Sequence, residues 1–210
     1  MREPINVSGM VLSASPVGEY DKRVVILTRE LGKITAFARG ARRMKSPLMA
    51  VSNPFVFGEF QVYEGRDSYT LSGANIKEYF LDLAQTQPGV YYGFYFLELA
   101  EYFSQEGNDE TQMLNLLYVT MNAIRRGKQD LRLIRCIFEL RTITISGEAP
   151  QMFSCMECST KENLTIFSPR DSAIYCQNCG KTIKDPWPLQ PGTVLACRYI
   201  IAAPLEKLYG

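Results

Sequence analysis

The sequence predicts a multidomain α+β protein with a five-stranded OB-fold barrel at its N-terminus, a central α-helical bundle domain and an inserted four-cysteine ribbon. Three observations predict this fold class. Short runs rich in β-branched and aromatic residues fill the first third of the chain, longer runs with helical periodicity follow, and two C-x-x-C pairs come near the C-terminus. The predicted divisions are a barrel at 1–77, a helical domain at 78–150, a cysteine module at 151–185 and a C-terminal helix at 186–210 that packs on the helical domain.

Composition excludes several classes of function. The chain has 210 residues, a formal net charge of +1 and a hydrophobic content of 46%, which is enough to form a buried core. It contains no run of the ~18 apolar residues that a membrane helix needs, and its first residues lack the apolar segment of a signal peptide. We therefore expect a cytoplasmic protein that does not act at a membrane. The chain also has no histidine, which excludes Ser-His and Cys-His catalysis, and we expect that it is not an enzyme.

Five β-like runs lie between Ile5 and Ile76, and turn signals separate them. The runs are VSGMVLSASP, RVVILT, GKITAFARG, PFVFGEFQVYEG and SYTLSGANI. Five strands in so short a segment indicate a small closed or partly open barrel. The OB-fold is the leading interpretation, because it has five strands and because its curved face and loops bind nucleic acid.

Helical periodicity begins after Asn75. We predict a short helix over IKEYFLDLA, a longer one that begins near Pro88, and a third that starts at Asn108-Asp109-Glu110, with Glu110 in its first turn, and ends at Arg125-Arg126-Gly127. The core face of the helix after Pro88 is predicted from large side chains at helical spacing, namely Tyr92, Tyr95, Phe96, Leu99 and Phe103. The tail is predicted to form a last helix over 193–202.

A fourth helix is predicted from Asp130 to about Ile145. Its inward side chains would be Leu133, Ile134, Ile137 and Leu140, and its outer ones Arg132, Arg135, Glu139 and Thr142. Arg141 falls among the apolar positions, so it needs a partner such as Glu98 or Glu101. Cys136 and Cys197 stand among apolar neighbours and are predicted to be small core residues.

Four cysteines have the spacing of a zinc ribbon. They form two C-x-x-C pairs separated by seventeen residues, Cys155 with Cys158 and Cys176 with Cys179. Each pair presents two thiolates to one side of a tetrahedron, and a hairpin of 164–167 with 173–175 would bring the pairs together. Because four protein ligands leave no open position, the Zn²⁺ ion would be structural. The alternative is a dithiol or disulfide pair.

Positive charge is concentrated between Leu27 and Ser46. This stretch contains one acid, Glu30, and six cations: Arg29, Lys33, Arg39, Arg42, Arg43 and Lys45. A solvated loop is the ordinary interpretation of such a run. However, the run lies between the third and fourth strands of the predicted barrel, close in sequence to four aromatic residues: Tyr20, Phe37, Phe55 and Phe57. Cations beside stacking aromatics are typical of nucleic-acid binding, so we predict this role for the six cations, although the aromatic residues could equally be core.

A second basic cluster lies at the junction of the third and fourth helices. Its members are Arg125, Arg126, Lys128, Arg132 and Arg135. Arginines at a helix C-terminus often do no more than stabilise the helix dipole. The cluster is nevertheless available for phosphates or an acidic peptide, and it is the candidate partner surface.

Several short motifs occur in a defined order along the N-terminal part. They are Gly18-Glu19-Tyr20-Asp21, Leu27-Thr28-Arg29-Glu30, Gly32-Lys33, and Gly40-Ala41-Arg42-Arg43 followed by Lys45-Ser46. With the helical region and the two C-x-x-C pairs, this order resembles the RecO family of bacterial recombination mediators over essentially the whole chain. The resemblance implies an OB domain, a helical domain, a zinc-binding segment and a non-enzymatic role in homologous-recombination repair.

The resemblance also implies partners. Proteins of this family bind single- and double-stranded DNA, anneal complementary strands and, with RecR, help to load RecA onto DNA coated by single-strand binding protein. They also bind the acidic, apolar C-terminal tail of single-strand binding protein. We therefore expect DNA at the six cations and a location at the nucleoid, and by charge alone the second basic cluster is the candidate for the tail.

Two other classes of function remain open on the residues. One is a zinc-ribbon interaction protein that binds RNA or belongs to the transcription machinery. The other is an enzyme whose C-x-x-C pairs perform redox chemistry. Preference for RNA would favour the first, and a tightly held metal ion that resists oxidants would exclude the second.

Overall fold

The computed structural model describes residues 3–85 and 87–210. The chain divides into two compact units, Met1–Ile134 and Arg135–Gly210. The first contains a closed barrel and helices, and the second contains a small sheet, a four-cysteine cluster and helices. The predicted α+β class is confirmed, whereas the domain boundaries at 77, 150 and 185 stay predictions. Within the described residues, no helix is long and apolar enough to cross a bilayer.

The N-terminal unit is built on a barrel of five strands. They are β1 (Ile5–Val17), β2 (Asp21–Thr28), β3 (Gly32–Ala38), β4 (Phe57–Glu64) and β5 (Tyr69–Glu78). The strand order is β1-β2-β3-β5-β4, and pairing of β1 with β4 closes the barrel. Only the short β3–β5 contact is parallel. The predicted barrel is therefore confirmed, and a four-residue helix that the sequence did not predict, α1 (Leu48–Val51), lies between β3 and β4.

Two longer helices of this unit pack on the barrel, α2 (Gly89–Phe103) and α3 (Thr111–Arg126). They cover the outer face of β1 and β2, where Val25 and Leu27 are 3% and 0% exposed. The inner face of β2 carries Val24 and Ile26, which are also buried. Burial on both faces explains why VVIL is a continuous apolar run rather than an alternating one.

The prediction of a short α-helix over IKEYFLDLA is wrong. Ile76 and the two residues after it complete β5, because the β4–β5 ladder continues through the pair Gly58–Ile76. A 3₁₀ turn follows at Leu81–Gln85. The apolar side chain of Ile76 packs against the barrel core, and this packing stabilises the strand conformation at residue 76.

The predicted core face of α2 is displaced by about one position. Its buried residues are Gly89, Gly93, Phe96, Leu97 and Ala100, whereas Tyr92, Tyr95, Leu99 and Phe103 are half-buried. The reason is close packing: a Cβ at Gly93 would lie 2.9 Å from Cε1 of Phe55. Phe96 is buried as predicted, but glycine and alanine take three of the five buried positions, and a pattern based on large side chains does not find them.

The helix α4 (Leu131–Ile145) also differs from the prediction. Leu133 is 50% exposed, whereas Thr142, predicted on the outer face, is 1% exposed. The buried stripe follows the i, i+4 spacing of Ile134, Phe138 and Thr142, with Ile137 beside it. A second apolar face on the same helix made the choice ambiguous from the sequence.

The prediction that a glutamate carboxylate pairs with Arg141 is wrong. Its guanidinium donates to the backbone carbonyl of Ile200 at 2.9 Å and to that of Ile201 rather than to a carboxylate. Burial lowers the pKa of Arg141. Cys136 is exposed, which corrects the prediction that it is a core residue, and Cys197 is half-buried.

The second unit contains a three-stranded antiparallel sheet. Its strands are β6 (Leu164–Ser168), β7 (Ala173–Cys176) and β8 (Trp187–Pro188), in the order β7-β6-β8. The β6–β7 hairpin confirms the predicted one. A helix α5 (Pro191–Ala202) follows, as predicted for the tail, and 3₁₀ turns occur at Cys179–Thr182 and Leu205–Lys207.

Candidate nucleic-acid interface and metal site

The basic loop, residues Arg39–Lys45, joins β3 to the segment that carries α1. Four of its side chains are exposed cations: Arg39, Arg42, Arg43 and Lys45. Between residues 31 and 58 the chain has no acidic residue. The loop therefore carries positive charge that its own neighbours in sequence do not neutralise.

Hydrogen bonds fix the basic loop against the turn that joins β1 to β2. The guanidinium of Arg42 donates to the carbonyl of Glu19 at 3.1 Å and to that of Gly18 at 3.3 Å. The Arg42 N–H donates to the carbonyl of Tyr20 at 2.8 Å, and the Gly40 N–H donates to Asp21 Oδ1 at 2.7 Å. Arg42 therefore connects the basic loop to the β1–β2 turn, and OB-folds in general use the β1–β2 loop in binding nucleic acid.

Tyr20 is an aromatic residue beside the basic loop whose ring is exposed to solvent. It is 42% exposed, and the guanidinium carbon of Arg43 lies 4.9 Å from its ring centroid. Phe55 is buried, and its ring centroid is 4.7 Å from that of Phe94. Phe57 packs on Tyr118 with ring centroids 4.8 Å apart. Of the aromatic residues considered from the sequence, Phe55 and Phe57 thus belong to packed clusters.

The structure separates Arg29 and Lys33 from the basic loop. Both residues lie at the β2–β3 turn, whereas Arg39 follows the opposite end of β3. The seven-residue strand spans about 20 Å. The ammonium of Lys33 also donates to the carbonyl of Glu101 at 2.5 Å, so it links β3 to the C-terminal turn of α2. Arg29 is exposed.

Lys22 is a basic residue of this surface that the sequence interpretation missed. It pairs with Ala38, directly before the basic loop, and its ammonium donates to Asn53 Oδ1 at 2.7 Å. Burial and the nearby charge of Arg42 lower the pKa of Lys22. The register of the β2–β3 hairpin could have indicated its place, because the turn sets which residues are opposite each other.

Ion pairs hold two members of the second basic cluster. Arg125 lies 2.9 Å from Glu78 and 3.7 Å from Asp82, and Arg135 lies 2.9 Å from Glu139. The hydrogen bond from Arg125 lowers the pKa of Glu78. The other cluster members are exposed and have no ion pair within the described part of the chain: Arg126, Lys128 and Arg132.

The four predicted metal ligands lie together. The Sγ atoms of Cys155, Cys158, Cys176 and Cys179 are all within 4.8 Å of one another. Cys176 ends β7, and Cys179 begins the 3₁₀ turn after it. A Cβ at Gly180 would lie 2.7 Å from Ile166 Cγ1, so glycine allows this second pair to pack on β6.

The geometry and chemistry of these thiols fit Zn²⁺. A tetrahedron with Zn–S bonds of about 2.3 Å has sulfur atoms about 3.8 Å apart, and Cys158 Sγ lies 3.8 Å from Cys176 Sγ. Burial raises the pKa of Cys155, but backbone N–H donors, including that of Cys158, lower it to about 6. Hydrogen bonding with Cys176 raises the pKa of Cys179 to about 12. Such crowded thiols favour a partly ionised set, which a divalent cation would fully deprotonate.

These features define a class of protein: an OB-fold barrel with a basic loop held against its β1–β2 turn, a helical region packed on it, and a four-cysteine cluster able to hold a metal ion. Comparison with known families agrees. Residues 1–80 match the family Recombination protein O N terminal, and residues 88–210 match Recombination protein O C terminal. The chain belongs to the RecO family of DNA repair and recombination proteins.

Individual relatives cover nearly the whole chain. DNA repair protein RecO of Alkaliphilus metalliredigens (strain QYMF) is 33% identical over 205 residues, 97% of this chain and 83% of that protein. The RecO protein of Bacillus pumilus (strain SAFR-032) is 32% identical over 206 residues, 97% of this chain and 79% of that protein. For Bacillus subtilis (strain 168) the identity is 29% over 205 residues, with coverages of 95% and 78%.

Proposed function

We propose that this chain is a non-enzymatic recombination mediator that binds and anneals single-stranded DNA. With RecR, it would promote loading of RecA onto DNA coated by single-strand binding protein during homologous-recombination repair. The observation that carries this proposal is the basic loop held against the β1–β2 turn by Arg42. Membership of a DNA repair family supports DNA as the ligand.

The chemistry of annealing is electrostatic. Two complementary strands repel each other until cations neutralise their phosphates, and each neutralised phosphate releases a condensed counterion. Arg39, Arg43 and Lys45 would supply these cations, while Arg42 mainly positions the loop. Because the backbone of the loop is already fixed at Gly40 and Arg42, little conformational entropy is lost when DNA binds.

The two outlying cations would contribute less. Arg29 is exposed and can contact a phosphate beyond the far end of β3. Lys33 already donates its ammonium to the carbonyl of Glu101, so it would lose this hydrogen bond if it turned to DNA. We assign Lys33 a supporting role in holding β3 and α2 together.

The acidic tail of single-strand binding protein would dock at the exposed part of the second basic cluster. Arg126, Lys128 and Arg132 carry charges that no ion pair within residues 3–85 and 87–210 neutralises, and Leu133 beside them is 50% exposed. Cations next to an apolar side chain suit an acidic, apolar peptide. Arg125 and Arg135 would support this surface, because their ion pairs with Glu78 and Glu139 hold them in place.

The four-cysteine cluster would hold a structural Zn²⁺ ion. All four coordination positions would be occupied by thiolates, so the ion would supply no catalytic site. Its binding free energy would instead stabilise a module with a small core of its own.

Annealing of complementary fluorescent strands over a salt series tests the proposal. The double variant Arg39→Ala/Arg43→Ala should slow annealing and weaken DNA binding at least tenfold at moderate salt, because two phosphate contacts are lost. The matched control is Lys161→Ala/Lys207→Ala, which removes the same charge from exposed positions of the second unit and should anneal like wild type.

Two results would contradict the proposal. Equal annealing by the loop variant and the control would show that the basic loop does not bind DNA. A marked preference for RNA of the same sequence would favour the RNA-binding alternative, since only the 2′-hydroxyl distinguishes the two ligands at a given site.

A further inference from the structure

The second unit contains an open pocket beside the β6–β8 sheet that is separate from the four cysteines. Its lining residues are Pro169, Arg170, Lys184, Asp185 and Trp187. It therefore combines two cations, one acid and the only tryptophan of the chain. None of these residues belongs to the metal cluster or to the basic loop.

The backbone of Trp187 is held in the sheet although its side chain is exposed. Its backbone pairs with Phe167 at the edge of the sheet, and the N–H of Leu189 donates to the carbonyl of Thr165 at 2.7 Å. Proline stands on both sides of Trp187 in the sequence, and each proline has a fixed φ. The backbone that carries the indole is thus restricted by pairing and by the two prolines.

The indole is also accessible to solvent. Trp187 is 59% exposed, and in the described part of the chain no aromatic or guanidinium group stacks on it. The exposed ring therefore offers a large planar apolar face on which another planar group can stack.

The charges around the indole suit a phosphodiester. Arg170 and Lys184 are exposed. The neighbouring acid Asp171 accepts hydrogen bonds from Ser168 Oγ at 2.7 Å and from the Tyr175 hydroxyl at 3.1 Å; these bonds lower the pKa of Asp171, so it remains charged beside Arg170 but does not line the pocket. Asp185 is the one acid that lines the pocket, so it would weaken rather than aid phosphate binding.

We propose that this pocket is a second nucleic-acid contact, in which one unpaired base stacks on Trp187 while Arg170 and Lys184 bind its flanking phosphates. An exposed aromatic ring with adjacent cations is the general means of binding single strands without sequence preference. An acidic peptide would also use the cations, but it offers a planar group to the indole only where it carries an aromatic side chain, whereas every nucleotide carries a base. This inference rests on the proposed binding of DNA, and adds a site to it.

Tryptophan fluorescence tests the contact directly, because Trp187 is the only tryptophan. Titration of the full chain with a short oligothymidylate should quench its emission, whereas an abasic strand of equal length and charge should quench it little. Trp187→Ala should weaken binding of labelled oligothymidylate about fivefold to a hundredfold, while Trp187→Phe should retain most of the affinity. Asp185→Asn should tighten binding.

The outcomes separate this inference from the proposed function. Binding by anisotropy without quenching, or equal affinities for Trp187→Ala and wild type, would overturn the pocket but leave the basic loop intact. Quenching that persists in Arg39→Ala/Arg43→Ala, with unchanged affinity, would support the pocket and contradict the basic loop. Quenching by an acidic peptide but not by oligothymidylate would assign the pocket to a protein partner and overturn the inference.

Discussion

The guanidinium carbon of Arg43 lies 4.9 Å from the centroid of the Tyr20 ring. At an exposed site such a cation–π contact contributes about 0.5–1 kcal/mol. A bound nucleotide could contact each group separately: its base could stack on the Tyr20 ring, and its phosphate could pair with the Arg43 guanidinium. Binding of a single strand should therefore exchange this internal contact for two external ones.

The first prediction concerns Tyr20. Tyr20→Leu should weaken binding of single-stranded DNA about fivefold or more, because a stacked base contributes about 1–3 kcal/mol. Binding of duplex DNA should change less, since its bases are already stacked. Fluorescence anisotropy with both ligands measures the effect, with Tyr20→Phe as the control that keeps the ring. Equal losses for both ligands would show that Tyr20 supports the loop rather than a base.

The second prediction separates Lys45 from Lys33. Lys45→Ala should lower the slope of log affinity for single strands against log salt by about 0.7, because one phosphate contact is lost, and should leave the free energy of unfolding nearly unchanged. Lys33→Ala should instead lower the free energy of unfolding by about 1 kcal/mol through loss of its hydrogen bond to Glu101. Salt titrations and urea unfolding of both variants check this, and a lower salt slope for Lys33→Ala alone would reverse the assignment.

Local signals made the barrel and the cysteine site predictable. The strands are short β-branched runs between turn residues, and the four cysteines are fixed by two C-x-x-C turns and one hairpin, so neighbouring residues carry most of the information. The basic loop was also visible as charge. Its attachment through Arg42 to Gly18 and Glu19 was not, because it depends on main-chain oxygens that no residue type reveals.

Long-range packing was not predictable. The role of Lys33 depends on a carbonyl 68 residues away in the sequence. The buried stripe of α2 includes Gly93, where a side chain would clash with Phe55. Arg125 looked like part of a binding patch by charge, whereas the structure pairs it with Glu78. In each case the sequence gives the residue type but not the partner, which tertiary structure selects.

The third prediction is a pH dependence at Glu78. The hydrogen bond from Arg125 lowers the pKa of Glu78, so the pair stabilises the folded state at neutral pH and loses this effect as the pH falls through the lowered pKa. Glu78→Gln should reduce the free energy of unfolding by up to about 1 kcal/mol at neutral pH, since the pair is about one-third exposed. The difference from wild type should disappear in acid.

The control for Glu78 is another surface pair. Glu59 lies 2.8 Å from Lys77, but both side chains are about half exposed, so Glu59→Gln should change stability less at any pH. Urea unfolding across the acid range measures both variants. A constant difference between Glu78→Gln and wild type at all pH values would exclude the ion pair as its cause.

The fourth prediction concerns the metal. The purified chain should contain one Zn²⁺ per molecule, and a strong chelator or Cys158→Ser should remove it and unfold the cysteine module, because metal binding supplies much of its folding free energy. Metal analysis and Trp187 emission follow the loss, since Trp187 pairs with the β6 strand of that module. Cys136→Ser is the matched control, because Cys136 lies outside the cluster. Full zinc content in Cys158→Ser would contradict a four-thiolate site.

The fifth prediction concerns Gly32, which begins β3 with a φ of 68°. A Cβ there would lie 2.3 Å from the carbonyl oxygen of Gln105, so Gly32→Ala combines left-handed strain with a clash against backbone that cannot rotate away. Strain costs about 1–2 kcal/mol, and overpacking adds about 1–3 kcal/mol. Gly107 has a φ of 78° and open space around its Cβ position, so Gly107→Ala isolates the strain. Urea unfolding should show a larger loss for Gly32→Ala, and equal losses would show that the approach to Gln105 relaxes without cost.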